Sequence, residues 1–128
     1  MATKNNESTW FVRLTMDMFQ DERLKDLKND GIFLYSYMLN RAEVTSFVDE
    51  NGEKYIIVTE KSAQKFCRIK RVKFYAFKKQ LKEIGLINYD EQTAKQKGVS
   101  TPIYVAPYDL WKTKKLKEES KFEFPDFN

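Results

Sequence analysis

Apolar residues concentrate at helical spacing in two stretches of the chain, and the first spans residues 30–41. Asn29 or Asp30 is placed to cap a helix there, because a short polar side chain accepts hydrogen bonds from a first turn. The segment is apolar on more than one side, through Phe33, Leu34, Tyr35, Tyr37, Met38 and Leu39. We therefore expect a helix that is central to the fold or that meets a second chain.

The second stretch, residues 67–87, carries a single apolar stripe. Its members follow a 3-4-3 spacing, which places them on one face of a helix: Phe74, Phe77, Leu81 and Ile84. Gly85 comes next and suits the left-handed conformation that ends many helices. Ile69, just before the helix, is expected to pack under it.

Between these helices the pattern changes to that of a turn, a strand and a short helix. An Asn-Gly pair marks a turn over residues 48–53. The β-branched and aromatic run at residues 54–58 predicts a strand. Thr59 then occupies an N-cap position, so a short helix is expected over residues 60–66.

Two further strands are predicted after the second helix, at residues 86–89 and 102–105. The segment between them, residues 90–101, is polar and contains Gly98, and we expect a flexible loop that makes the two strands a β-hairpin wing. The order of short helix, tight turn, long helix and wing predicts an α+β fold. Its class is the winged helix-turn-helix, with a small three-helix core.

The length of 128 residues allows one domain with a single core. We expect this domain to span residues 10–111, with an additional N-terminal strand or hairpin that begins at residues 10–14 and leads into one helical turn. Residues 1–9 are expected to form a flexible N-terminus. Residues 112–128 are expected to form a charged linker or tail.

The residue content excludes several kinds of chemistry. The chain has no histidine and one cysteine, Cys67, so it cannot form an internal disulfide, a Cys/His zinc site or a histidine-based triad. It has no run of about 18 apolar residues that could span a membrane. We expect a cytoplasmic protein that is not an enzyme, with no catalytic residue, no metal site and no cofactor.

Charge is distributed unevenly along the chain. Residues 1–58 hold 7 basic and 10 acidic side chains, whereas residues 61–83 hold nine basic side chains and one acid, Glu83. Asymmetry of this kind favours a polyanionic partner. The simpler alternative is a solvated face, because charged helix surfaces are common. The near absence of balancing acids and the position of the second helix, which enters the major groove in this architecture, favour double-stranded DNA.

The candidate DNA contacts are basic residues off the apolar stripe, which we expect to point away from the core. Arg71 is the best candidate to read a base, because a guanidinium pairs with O6 and N7 of guanine. Tyr75, one turn further, is placed to reach a base or a phosphate. The other candidates on and before this helix suit phosphate contacts: Lys61, Arg68, Lys70, Lys73, Lys78, Lys79 and Lys82. Lys95 and Lys97 flank the tip of the wing, where the alternatives are a contact with the DNA backbone, a contact in the minor groove, or exposure without a contact.

Three acids, Asp49, Glu50 and Glu53, could suggest a cation site. Their spacing is not that of an EF-hand loop, so a polar turn is favoured.

Four blocks of this sequence resemble the N-terminal domain of RepA-type replication initiators from theta-replicating plasmids of Gram-positive bacteria. Residues 47–52 with Tyr55-Ile56 are similar to the family's "WVDENG…YI" hairpin, which is the most specific block. Residues 31–41 resemble its "AKLLYGLLLDR" helix. Residues 11–19 match its opening strand and turn, and the ending Gly85-Leu86-Ile87 matches "ELEEAGLI".

The sequence departs from the family pattern in three places. Thr15 stands where the family has proline, and Gly31 replaces a helical alanine at a cost of about 1 kcal/mol. Lys70 and Lys73 stand where Ser and Thr usually open the recognition helix. These two lysines bear on which DNA sequence is read, while they add affinity for phosphates.

The resemblance implies an origin-binding role. Such initiators bind repeated sites, iterons, at a plasmid origin, typically as a homodimer, and recruit host replication proteins through a separate C-terminal domain. On this resemblance, residues 112–128 are expected to lead toward that domain, which is missing here. Two alternatives stay open at this point. One is a winged-helix transcriptional regulator, and the other is a winged helix that docks an acidic protein partner.

Overall fold

Helices dominate the domain. The computed structural model describes the backbone of residues 12–117 and the side chains of residues 12–113. Within these residues lie six α-helices: α1 (Met16–Gln20), α2 (Lys28–Val44), α3 (Glu60–Ser62), α4 (Arg71–Ile84), α5 (Glu91–Lys97) and α6 (Tyr108–Lys117). A 3-10 helix, Glu22–Leu27, precedes α2, and a π-helical turn, Ala63–Cys67, continues α3. The expected α+β character is present as a mostly helical domain with one small sheet.

The sheet has two antiparallel strands, β1 (Ile87–Asn88) and β2 (Tyr104–Val105). Just before β2, Ile103 exchanges both backbone hydrogen bonds with Ile56, at 2.8 and 2.9 Å. The strand predicted at residues 54–58 is therefore reduced to single bridges, at Ile56 and at Lys54 with Val48. The predicted N-terminal strand is absent from residues 12–15, and residues 10 and 11 lie outside the described residues.

Helix α2 is the centre of the core, as its apolar pattern predicted. Leu34, Tyr35 and Met38 are fully enclosed, and the Tyr35 hydroxyl donates 2.6 Å to the Ala106 carbonyl. The predicted cap at Asn29 or Asp30 is wrong, because the 3-10 helix runs directly into α2 at Lys28. Lys28 has a φ of 61°, so the junction uses a left-handed residue where a capping side chain was expected.

Gly31 has a packing role that its low helix propensity does not indicate. A Cβ added at Gly31 would lie 3.0 Å from Phe77 on α4 and 3.0 Å from the Leu27 Cβ. The glycine therefore lets α2 approach α4 closely. Glycine in a helix interior costs about 1 kcal/mol of stability relative to alanine. At this position the same glycine allows two core helices to pack more closely.

Helices α3 and α4 are joined as the sequence predicted. The Thr59 hydroxyl accepts from the Ser62 amide, and the Ser62 hydroxyl accepts from the Thr59 amide, which forms a capping box. Ile69 is buried under α4. The stripe of α4 faces the core with Ile84 partly covered, and Gly85 ends the helix at a φ of 89°.

The segment between the two strands is a helix, not the flexible loop expected there. Asp90 caps α5 by accepting hydrogen bonds from the Thr93 amide and hydroxyl, at 3.1 and 2.7 Å. Gly98 ends the helix with a φ of 70°, and Ala94 is its buried anchor. A helix with one apolar residue has no stripe, which is why its periodicity gave no signal.

Helix α6 crosses the predicted domain boundary at Trp111. The indole of Trp111 is buried and donates 2.7 Å to the Ile84 carbonyl at the end of α4. Residues 112–117 continue the helix, where a linker was expected. The predicted segments 1–9 and 118–128 lie outside the described residues.

Candidate nucleic-acid interface

The first turns of α4 present an exposed basic surface. The buried stripe fixes the rotation of the helix, so side chains off the stripe face outward. Arg71 is 76% exposed. Ten of the eleven predicted contact residues are exposed in the structure: Lys61, Arg68, Lys70, Arg71, Lys73, Tyr75, Lys79, Lys82, Lys95 and Lys97.

Lys78 is the exception, and the expectation that it points away from the core is wrong. It is only 5% exposed, and its ammonium lies 2.9 Å from a Glu91 carboxylate oxygen on α5. The ring of Tyr89 lies 4.6 Å from the same ammonium. The polar pattern of residues 90–101 predicts a loop, and it gives no sign of the helix that covers this lysine. Lys78 joins α4 to α5, and it is not free to neutralise a phosphate.

Lys82 is partly engaged as well. Its ammonium donates 2.6 Å to the Tyr89 carbonyl and lies 4.5 Å from the centre of the Tyr89 ring. Lys95 and Lys97 lie in the last turn of α5 instead of flanking a loop tip. Both remain exposed, on a helix that the Lys78–Glu91 ion pair fastens to α4.

A second acid lies among the predicted contact residues, and the sequence pattern does not reveal its contacts. Glu60, the first residue of α3, accepts a hydrogen bond of 2.9 Å from the Tyr75 hydroxyl. The same carboxylate oxygen lies 3.7 Å from Nε of Arg71. Glu60 therefore orients the two residues that were predicted to reach bases. The partners are 11 and 15 residues away in sequence, so no local pattern could have revealed the contact.

The hydrogen bond to Glu60, with a smaller contribution from burial, raises the pKa of Tyr75 above its ordinary value. A tyrosine hydroxyl is protonated at neutral pH, so it can donate to a carboxylate or to a phosphate oxygen. Glu60 and a phosphate would compete for the same donor.

Arg68 occupies the turn between the π-helical turn and α4 in a left-handed conformation, with φ 57° and ψ 34°. This conformation costs a residue with a Cβ about 1–2 kcal/mol, and glycine would adopt it without that cost. Arg68 is exposed and lies next to α4, so it places a guanidinium at the edge of the basic surface. Strained residues of this kind concentrate at functional sites.

The N-terminus of α4 is open. Lys70 precedes the helix and its side chain makes no capping hydrogen bond. A Ser or Thr at this position would supply a capping oxygen to the first-turn amides. Those N–H groups are therefore available to an incoming oxygen, and the helix dipole favours a negative one.

The acidic turn at residues 49–53 is built as a polar turn, as predicted. The two carboxylate oxygens of Asp49 accept from the amides of Asn51 and Glu53 and from the Tyr104 hydroxyl, at 2.7–2.9 Å. These bonds lower the pKa of Asp49. Across the described residues, no group of three or more metal-binding side chains is gathered in one place. None of the described helices has the length and apolar content needed to cross a membrane.

Comparisons with known proteins point to one family. Residues 10–118 match the family model described as "Replication initiator protein A (RepA) N-terminus". No curated protein matches the chain.

Three solved structures share the fold. "Structure of Rep-DNA complex" is 21% identical, with a TM-score of 0.60 over 89% of this chain and 92% of the other. "N-Terminal domain of DNA binding protein" is 22% identical, with a TM-score of 0.62 over 88% and 89%. "Structure of MDR initiator" is 20% identical, with a TM-score of 0.60 over 86% and 91%.

Proposed function

The chain belongs to the family of replication initiator protein A N-termini, and we propose that it binds double-stranded DNA at the repeated sites of a plasmid origin to initiate replication. Its role is binding and not catalysis. One structure with the same fold is described as a Rep-DNA complex, which supports DNA as the partner. The observation that carries the proposal is the exposed basic start of α4, where Glu60 ties Arg71 and Tyr75 together.

We propose that the fold works as a winged helix-turn-helix. Helix α3, the turn at residues 68–70 and α4 supply the helix-turn-helix, and the strands β1 and β2 with α5 between them supply the wing. In this arrangement α4 enters the major groove and the wing lies along the backbone. Support comes from the packing, because the buried stripe of α4 leaves its charged side outward.

Arg71 is proposed to read a guanine, and the exposed lysines to position the helix. A guanidinium presents two parallel donors to O6 and N7, whereas an ammonium is a point charge suited to phosphate. The open amides at the start of α4 add a phosphate contact without sequence information. Lys78 is left out of this set because it is buried against Glu91.

We further propose that the protein acts as a homodimer and recruits host replication proteins through a separate C-terminal domain. Three apolar residues that are at least half exposed lie at or just before the bridge between Val48 and Lys54: Val44 at the end of α2, then Phe47 and Val48. An apolar group of this kind is available to a second copy. Sedimentation of Phe47→Ser against the wild type tests whether these residues support the dimer.

The experiment that tests DNA binding is fluorescence anisotropy with two labelled duplexes over a series of salt concentrations. One duplex carries repeats from the protein's own origin or coding region, and the other a scrambled sequence. If around six phosphates are neutralised, log affinity falls with log salt at a slope of about −5. We expect clear preference for the repeats. Equal weak binding to both would contradict the proposal and would favour an acidic protein partner.

A further inference from the structure

Val72 is the most exposed large apolar side chain within residues 12–113. It is 80% exposed and occupies the second position of α4, between Arg71 and Lys73. The core does not use it, since the buried residues of α4 lie on the other side of the helix.

A valine is a poor choice for this position on structural grounds. β-Branched residues lose side-chain freedom in a helix, and an exposed apolar group gains nothing from water. Lysine or glutamate would suit a solvated helix surface better. A residue that violates local preference without a packing gain points to a partner that contacts it.

The helix period shows where Val72 points. Val72 and Ala76 lie one turn apart, on the side opposite to the buried Phe74 and Leu81. Ala76 is exposed and small, so another molecule can approach the backbone there. Lys79 continues the same line one turn later. The outermost ridge of α4 thus begins with two apolar residues and is flanked by cations.

We infer that Val72, with Ala76 beside it, contacts the 5-methyl groups of thymines in the major groove. This rests on the proposed function. The methyl group is the one apolar feature on the major-groove edges of the base pairs, and only thymine carries it. Cations on both sides would hold the phosphates and bring the apolar ridge to the base edges. Val72 is then a specificity-determining residue that complements Arg71, which reads guanine.

The test removes single methyl groups from the DNA, which leaves the protein unchanged. A duplex is first selected by the protein from a random pool, and each of its thymines is then replaced in turn by deoxyuridine. Anisotropy titrations compare the wild type with Val72→Ala. Leu110→Ala, at an exposed leucine on α6 outside the helix-turn-helix and the wing, is the control. Circular dichroism checks that the variants fold.

We expect one or two replacements to weaken wild-type binding about fourfold each, the effect of one buried methyl group. The same replacements should have no further effect on Val72→Ala and should keep their full effect on Leu110→Ala. Uniform tolerance of deoxyuridine, or an undiminished effect in Val72→Ala, would overturn the inference while leaving DNA binding intact. Failure to prefer the selected duplex over a scrambled one would overturn the proposed function and this inference with it.

Discussion

Asp21 and Glu60 each gather an arginine and a tyrosine around one carboxylate. Asp21 accepts three hydrogen bonds from Arg23, at 2.7–2.9 Å, and one of 2.8 Å from the Tyr108 hydroxyl. Glu60 accepts from Tyr75 at 2.9 Å, while Arg71 stays 3.7 Å away. The Asp21 side chain is 8% exposed and the Glu60 side chain 41%.

An acid, an arginine and a tyrosine therefore form two groups with different surroundings. The Asp21 group fastens the start of the 3-10 helix to α6, and the Arg23 guanidinium also lies 4.6 Å above the Trp111 ring. There the guanidinium donates through both Nε and Nη2, and the Asp21 carboxylate is shielded from water although Arg23 itself is about a third exposed. In the Glu60 group the guanidinium is held loosely and is free to turn toward another acceptor. Burial and geometry, more than residue identity, separate the structural cluster at Asp21 from the cluster at Glu60 that is proposed to bind DNA.

The largest effect is expected from Asp21→Asn. Loss of charged hydrogen bonds to Arg23 and Tyr108 should lower the free energy of unfolding by about 2–3 kcal/mol at neutral pH, measured by urea denaturation. Glu60→Gln, the matched change in the exposed group, should lower it by less than about 0.5 kcal/mol. Equal losses in the two variants would show that the two groups are not different in kind.

The pH dependence sharpens the same prediction. Hydrogen bonds from Arg23 lower the pKa of Asp21 from 3.8 to about 2. A lowered carboxyl pKa stabilises the fold above the ordinary value, and this stability is lost as the pH falls from about 4 toward 2. The wild type should lose about 2 kcal/mol more than Asp21→Asn over that interval. Parallel stability curves for the two proteins would contradict this assignment.

The second prediction compares two variants, each of which removes one arginine, Arg71 or Arg23. Arg71→Ala should cost about 1–3 kcal/mol of binding to the preferred duplex and relax selectivity at one base pair. Arg23→Ala should lower stability and leave the affinity of the folded protein for DNA unchanged. Anisotropy titrations against single-base variants of the duplex measure both. Uniform weakening across all sequences would remove Arg71 from base reading.

The third prediction uses the two left-handed residues, Arg68 and Lys28. Glycine at either position should stabilise the fold by about 1 kcal/mol, because the Cβ clash disappears. Only Arg68→Gly should also weaken DNA binding, with the salt slope smaller in magnitude by about 0.9 for one lost phosphate contact. A DNA effect of Lys28→Gly, or none of Arg68→Gly, would contradict the role of this turn.

The smallest effect is expected from Glu60→Gln in DNA binding. Removal of a negative charge from the basic surface should raise affinity for a scrambled duplex about twofold, while preference for the repeats falls as Arg71 and Tyr75 lose their orientation. Glu43→Gln, at an exposed acid on α2, is the control and should change neither value. If Glu60→Gln leaves the preference for the repeats unchanged, Glu60 has no part in selecting the DNA sequence.

Helix α4 shows what the sequence could predict. The structure contains its apolar stripe and its ending at Gly85, and it also contains the cap of α3 at Thr59. Each of these features depends on residues close in the chain. The exposure of most basic residues followed from the same stripe, because burial of one helix face determines the other.

The burial of Lys78 and the contacts of Glu60 could not be predicted in the same way. Lys78 is covered by α5, a helix whose only signals are the Asp90 cap and Gly98, without an apolar stripe. The role of Glu60 requires knowledge of how α3 crosses α4, which no local spacing contains. Both failures concern side chains whose surroundings come from distant parts of the chain.

The most direct measurement tests whether α4 reads DNA from the major groove. Each guanine of the preferred duplex is replaced in turn by 7-deazaguanine, which removes only the N7 acceptor in the major groove, or by inosine, which removes only the amino group in the minor groove. If Arg71 reads a guanine, one 7-deazaguanine weakens wild-type binding about tenfold and does not weaken Arg71→Ala further. Tolerance of every 7-deazaguanine, with loss of binding on inosine replacement, would place the protein in the minor groove and rule out reading by α4 in the major groove.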